Sequence, residues 1–184
     1  MHWYIILLLF ALPLSNAWAD KYQDTVKVFK DAGESGSFFN NSHGYALFPS
    51  IGKGGVGIGG AHGKGRVYSG GKHIGDTSMT QLTIGFQLGG QVYSQVIFFE
   101  DKRALDEFTS GNFEFGAQAT AVALTAGVSA AATTAGSSAG ASGGKKDATT
   151  VGKYSKGMAI FTVAKGGLMY EASVGGQKFS YTPK

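Results

Sequence analysis

The chain has 184 residues, of which 43% are hydrophobic, and its formal net charge is +4. That length suits one domain with a modest core and is short for two. Cysteine is absent, which excludes disulfides, thiolate metal sites, cysteine nucleophiles and a lipid-modified amino-terminal cysteine. The small positive surplus favours anionic partners without identifying one.

Residues 1–19 have the pattern of a secretory signal peptide, in which an apolar run over residues 3–14 precedes the small-x-small triplet Ala17-Trp18-Ala19. The run is shorter than the roughly 20 apolar residues of a membrane-spanning helix. An uncleaved anchor is the competing interpretation. We therefore expect an exported protein of the periplasm or envelope, with residues 20–184 as a single domain. Export argues against nucleic acid as a partner.

The spacing of Tyr22, Val26 and Phe29 predicts a short amphipathic helix that starts near Asp20 and stops at Gly33. Residues 35–44 are turn-like, and their two phenylalanines are expected to cover a core edge. Residues 45–49 then predict a brief strand that ends at proline.

Residues 54–68 predict a strand whose two faces differ in chemistry. Odd positions are nearly bare, and even positions grade from apolar to basic. The odd set is Gly55, Gly57, Gly59, Ala61, Gly63 and Gly65, and the even set is Val56, Ile58, Gly60, His62, Lys64, Arg66 and Tyr68. Two explanations of the bare strip stay open: sharp curvature of a small barrel-like sheet, or direct contact between a ligand and the backbone.

Residues 69–72 predict a turn, and residues 79–99 alternate in the manner of half-buried antiparallel strands. Gly89-Gly90 marks either a hairpin or a bend. Apolar residues occupy the even positions Leu82, Ile84, Phe86, Leu88, Val92, Val96 and Phe98, and polar residues occupy the odd positions Gln81, Thr83, Gln87, Gln91 and Gln95.

The remaining elements are predicted from caps and turns. Glu100 and Asp101 can cap a helix whose apolar side carries Ala104, Leu105 and Phe108. Residues 113–125 predict a strand, 126–150 a flexible insert rich in Ala, Gly and Ser, and 153–182 three short strands joined by glycine turns.

Residues 45–68, which read YALFPSIGKGGVGIGGAHGKGRVY, strongly resemble the signature of the SYLF family. The resemblance continues in residues 82–95, 155–158 and 166–176. It implies binding of acidic phospholipids and offers no catalytic residues to carry over. The basic motif positions Lys53, Lys64 and Arg66 are the expected phosphate contacts. His62 lies on the same basic face, and Lys72 completes the predicted headgroup site.

Together these features predict an α+β domain built on a Gly-rich, curved antiparallel sheet, tending toward a small barrel, with one or two packed helices. The expected function is non-catalytic binding of an anionic phospholipid surface, with no cofactor, no metal and no catalytic residues. A G-x-S-x-G match at residues 136–140 and a G-x-G-x-x-G match at 55–60 both lack the strand-turn-helix context that their chemistry needs. The alternative is a structural envelope protein that forms a homo-oligomer, or packs on a partner, through the bare strand face.

Overall fold

A computed structural model of the chain describes residues 13–85, 91–124, 154–165 and 173–184. These ranges contain α-helices α1 (Pro13–Asp31) and α2 (Lys102–Phe108), a 3-10 helix (Gly33–Phe39), and strands β1 (Gly44–Ser69), β2 (Lys72–Gly85), β3 (Gln91–Phe99), β4 (Phe113–Glu114), β5 (Val122–Leu124), β6 (Met158–Ala164) and β7 (Lys178–Pro183). The strands form one sheet in the order β4-β7-β2-β1-β3-β6-β5. The expected α+β class with a curved sheet is confirmed. The pairing of β5 with β6 is parallel, so the sheet is not wholly antiparallel.

The centre of the curled sheet is β1, a single strand of 26 residues. Its first part pairs with β3 and its second part pairs with β2. The expectation of a brief strand ending at Pro49 was wrong, because β1 runs through this proline. The register between β1 and β3 shifts between Phe48 and Ile51, and at such an irregularity a missing backbone N–H is tolerated.

Ala61, Gly63 and Gly65 of the bare strip are buried on the inner face of the curl, and the first part of β1 closely approaches the two glycines. A Cβ atom placed on Gly63 would lie 2.7 Å from Cγ1 of Ile51, and one on Gly65 would lie 2.7 Å from Cδ1 of Phe48. Glycine therefore allows β1 to fold back over itself at these two positions. The sequence left two explanations of the bare strip open, curvature of the sheet and contact with a ligand. The contacts at Gly63 and Gly65 support curvature at these two positions.

Helix α1 starts earlier than its sequence pattern indicated. Its described part already includes Pro13, so Asp20 lies inside the helix and does not cap it. The predicted apolar side is confirmed at Tyr22 and Phe29, which are buried. The stop is also confirmed, since the helix ends just before Gly33, whose φ is +56°.

The cap and the buried side of α2 are also confirmed. The carboxylate of Asp101 accepts a hydrogen bond from the backbone N–H of Ala104 over 2.9 Å. Ala104, Leu105 and Phe108 are buried against the sheet, as their spacing predicted. The turn at residues 69–72 is present as well, with φ of +58° and +79° at Gly70 and Gly71.

A hydrophobic cluster lies on each face of the sheet. The inner cluster, enclosed by the curl, includes Phe48, Val67, Met79, Phe99 and Phe179. The outer cluster joins α1 and the 3-10 helix to β1, β3 and β6, and it includes Phe29, Phe38, Leu47, Phe98 and Phe161. The two phenylalanines expected to cover a core edge do so: Phe38 is buried, and Phe39 packs edge-on against Phe98.

The alternation in residues 79–99 does not separate buried from exposed residues in the usual way. Gln81 and Gln95 are buried, whereas Leu82 is 72% exposed and Val92 is 42% exposed. Gln95 can be buried because its side-chain amide is paired: it exchanges hydrogen bonds of 2.8 and 3.0 Å with the buried amide of Gln177. Clusters on both faces of β3 leave little of that strand exposed.

The carboxyl-terminal half departs from the predicted elements in its details. Strand β2 begins at Lys72, well before the expected start at Met79. Residues 113–125 contain two short strands, β4 and β5, in place of one. The predicted insert at 126–150, the Gly89-Gly90 turn and the hairpin at residues 165–167 lie wholly or partly outside the described residues.

Candidate functional site

The outer face of β1, β2 and β7 carries basic side chains in two neighbouring rows. Register aligns His62 of β1 with Thr80 of β2, and Thr80 with Lys178 of β7. The next row contains Lys64, Ser78 and Ser180. His62, Lys64, Thr80 and Lys178 are exposed. We call the three basic residues among them, His62, Lys64 and Lys178, the cationic rows.

An acidic residue borders this surface at each of two points. Glu114 of β4 is paired with Lys178 at the sheet edge. Asp76 of β2 is paired with Arg66 and accepts a hydrogen bond of 2.8 Å from Nε2 of His73. The positions of β1 and β2 between these points carry no carboxylate, so the local field there is positive.

Beyond Lys64, the outer face passes under α1 and forms a groove of about 580 Å³. Residues from α1, β1 and the start of β2 line this α1 groove. They are Tyr22, Gln23, Val26, Lys27, Lys30, Asp31, Tyr45, Arg66, Tyr68, Gly71 and His73. The lining therefore contains three permanent cations (Lys27, Lys30 and Arg66), several aromatic rings and one carboxylate, that of Asp31.

Aromatic contacts organise the α1 groove. The guanidinium carbon of Arg66 lies 4.1 Å from the ring centroid of Tyr22, which is cation-π geometry. The rings of Tyr45 and Tyr68 are stacked with centroids 5.0 Å apart, and the Tyr68 ring lies 5.7 Å from that of His73. Arg66 therefore helps to dock α1 on the sheet while it contributes charge to the groove.

Burial favours the neutral form of two groove tyrosines, Tyr22 and Tyr45. It raises the pKa of Tyr45 to about 12, and the neighbouring Tyr68 adds to the rise. Burial also raises the pKa of Tyr22, although the positive charge of Arg66 acts in the opposite direction. Near neutral pH these phenols bear no negative charge and can act as hydrogen-bond donors.

The structure brings together some of the five basic residues predicted from the sequence and separates another. His62, Lys64 and Arg66 lie along one face of β1, and exposed Lys72 follows the groove residue Gly71. Lys53 differs, since it pairs with Gln91 in the other part of β1 and has the strand parity of the inner face.

Sequence reasoning missed Lys27, Lys30 and Lys178. The first two are three residues apart on α1, so helical spacing could have placed them on one side of that helix. Lys178 is remote in the chain and reaches the cationic rows only through the pairing of β7 with β2. No local signal in the sequence indicates that pairing.

A second cavity, of about 510 Å³, lies between the loop around Phe115 and the start of β6. Its charged lining residues are Glu107, Glu114 and Lys156. In the described ranges, no three His, Asp or Glu residues are grouped as they would be to hold a metal ion. No helix in the same ranges has the length and apolar character needed to cross a bilayer.

The sequence of this α+β domain matches a known protein family. A model of the Ysc84 family, described as "Las17-binding protein actin regulator", matches residues 80–182. Because this match covers more than half of the chain, the protein belongs to the Ysc84 family, also called SYLF. The resemblance drawn from residues 45–68 is confirmed by this separate part of the chain. The family is associated with actin or lipid binding in general and is not a known enzyme family.

A curated relative is "Beta cell expansion factor A" of Aeromonas veronii, which is 29% identical over 158 residues. The alignment covers 84% of this chain and 51% of the relative. The chain therefore spans about half the length of the relative that it matches.

Proposed function

We propose that this protein is a non-catalytic module that binds acidic phospholipids at a membrane surface after export. The observation that carries the proposal is the basic outer face formed by the cationic rows and the neighbouring α1 groove. Membership of a family associated in general with lipid or actin binding supports the same class of function. The export part rests on the signal-like pattern of residues 1–19, and it favours lipid over intracellular actin.

Lipid headgroups suit this surface because its cations are arranged in two ways. Lys64 and Lys178 are exposed and can reach phosphates in the plane of a membrane. Lys27, Lys30 and Arg66 line the α1 groove, whose volume of about 580 Å³ can admit a phosphate group with its substituent. The tyrosine hydroxyls beside them can donate hydrogen bonds to phosphate oxygens.

The alternative proposal, a structural protein that packs on a partner through the bare strip, is weakened by the contacts of that strip. Gly63 and Gly65 face inward and are closely approached by Ile51 and Phe48 of the same strand. These two glycines therefore do not offer a free backbone surface to a partner. The lipid proposal needs no such surface.

The test is sedimentation of the purified protein with vesicles. We expect binding to vesicles of equal parts phosphatidylglycerol and phosphatidylcholine, and little binding to phosphatidylcholine alone. The double variant Lys64→Gln/Lys178→Gln should bind the anionic vesicles about 30-fold more weakly, because each cation contributes about 1 kcal/mol near an anionic surface.

A matched control is available on α2. The variant Lys102→Gln/Arg103→Gln removes the same charge from exposed side chains whose ion pairs are with residues of their own helix. Such exposed pairs are worth a few tenths of a kcal/mol, so the control should fold normally. Equal sedimentation with both vesicle types, or equal losses in the two double variants, would contradict the proposal.

A further inference from the structure

Two large apolar side chains are exposed within the described part of the chain, Leu82 of β2 and Val92 of β3. Each lies opposite a glycine of β1: Leu82 pairs with Gly60 and Val92 pairs with Gly52. Both glycines are exposed, and no heavy atom lies within 4 Å of the Cβ position of Gly52. The opposing positions of β1 therefore provide no side chain that could shield either apolar residue from water.

The position of Leu82 relative to the basic residues is the second observation. Leu82 is two residues beyond Thr80, which lies in the row of His62 and Lys178. At about 3.3 Å per residue, the apolar side chain stands about 7 Å from that row and about 13 Å from the row of Lys64. Amphipathic membrane-binding segments bury their apolar side about 5–10 Å into the boundary between headgroups and acyl chains. The spacing of Leu82 from the nearer row falls in that interval.

Electrostatics supplies the reason why an apolar contact is needed. Four or five cations at about 1 kcal/mol each correspond to an affinity near millimolar, which is weak for stable residence on a membrane. An inserted leucine strengthens binding by removing apolar surface from water. The two kinds of residue occur here side by side on one face of the sheet.

We propose that the sheet docks on an anionic bilayer with Leu82 in the acyl boundary, while His62 and Lys178 lie at the level of the phosphates and Lys64 lies in the row behind them. The inference rests on the proposed function and adds the orientation and an apolar contact residue. A bilayer is favoured over a second protein because the β1 and β2 positions nearest to Leu82 carry basic and neutral residues and no carboxylate. The first acidic residue along β2 from Leu82 is Asp76.

The absence of cysteine makes a depth measurement direct. Single-cysteine variants Leu82→Cys, Thr80→Cys and Asp106→Cys each carry one environment-sensitive fluorophore on the full chain. All three positions are exposed, so the labels should not disturb the fold. With vesicles of equal parts phosphatidylglycerol and phosphatidylcholine, the label at 82 should shift most to the blue and be quenched by brominated acyl chains. The label at 80 should respond less, and the label at 106 on α2 should not respond.

The outcomes separate this inference from the proposed function. If the protein sediments with anionic vesicles while the label at 82 keeps its aqueous emission, the insertion is refuted and lipid binding stands. If no variant sediments with anionic vesicles, both are refuted. A blue shift at 82 that grows with protein concentration in the absence of vesicles would overturn the inference in favour of a second copy of the chain.

An unlabelled pair of variants provides a second measurement. Leu82→Ser should weaken binding to the same anionic vesicles about tenfold or more, because the insertion of a leucine is lost. Thr182→Ser, at an exposed position of β7 that pairs with Asp76, removes one methyl group outside the cationic rows and should bind nearly as the natural protein does. Equal affinity of the two variants would overturn the inference.

Discussion

Replacement of Gly65 by alanine tests the central feature of the fold, the folding of β1 back over itself. The added Cβ would lie 2.6 Å from the carbonyl oxygen of Leu47 and 2.7 Å from Cδ1 of Phe48. Neither atom can retreat easily, since the first belongs to the backbone and the Phe48 ring is fully buried against Phe179. Overpacking of this kind costs about 1–3 kcal/mol. For a protein of this size, a loss of about 2 kcal/mol lowers the Tm by about 4–8 °C.

The matched control is Gly52→Ala on the same strand. No heavy atom lies within 4 Å of its Cβ position, and its φ lies outside the left-handed region. Alanine there should be neutral or should stabilise the protein by about 0.5–1 kcal/mol, because it restricts the unfolded chain. Thermal and denaturant unfolding followed by circular dichroism measure both variants. If Gly65→Ala were as stable as Gly52→Ala, the close approach within β1 would be refuted.

Two further predictions concern stability. Gln95→Leu should lower the free energy of unfolding by about 1–3 kcal/mol, because it leaves the buried amide of Gln177 without its main partner. The double variant Gln95→Leu/Gln177→Leu should regain part of this loss. A double-mutant cycle measured by denaturant unfolding checks both expectations. Burial raises the pKa values of Tyr45, Tyr93 and Tyr154 to about 12 from an ordinary value of 10. Raised folded-state pKa values stabilise the protein below pH 10, so the free energy of unfolding should fall between pH 10 and 12. Urea unfolding at each pH, with tyrosinate absorbance, checks this, and a flat profile would contradict burial of these phenols.

Local signals in the sequence predicted local structure well. The cap at Asp101, the stop at Gly33 and the turn at Gly70-Gly71 depend only on neighbouring residues and on backbone φ values that glycine permits. The alternation of residues 54–68 correctly predicted one extended strand with a bare face and a basic end. Its bare face has two possible explanations in the sequence, and the contacts at Gly63 and Gly65 distinguish them.

The assignment of buried faces was less predictable. In residues 79–99 the apolar positions include the exposed Leu82 and Val92, while Gln81 and Gln95 are buried. A period of two shows that a strand has two distinct faces, and it does not show what covers each face. Here α1 and the 3-10 helix cover part of the outer face, and the curl of β1 encloses the inner one. Buried glutamine becomes acceptable only when its partner, Gln177, arrives from a distant part of the chain.

The candidate binding surface was likewise predictable from the sequence only in part. By itself, the sequence determined that His62, Lys64 and Arg66 share one face of a strand, because strand geometry fixes alternate side chains on the same side. Only the tertiary structure decided that Lys178 extends this surface and that α1 brings Lys27 and Lys30 beside Arg66. Periodicity, caps and turns arise from interactions within a few residues, whereas a composite surface depends on strand pairing and helix packing between segments far apart in the chain.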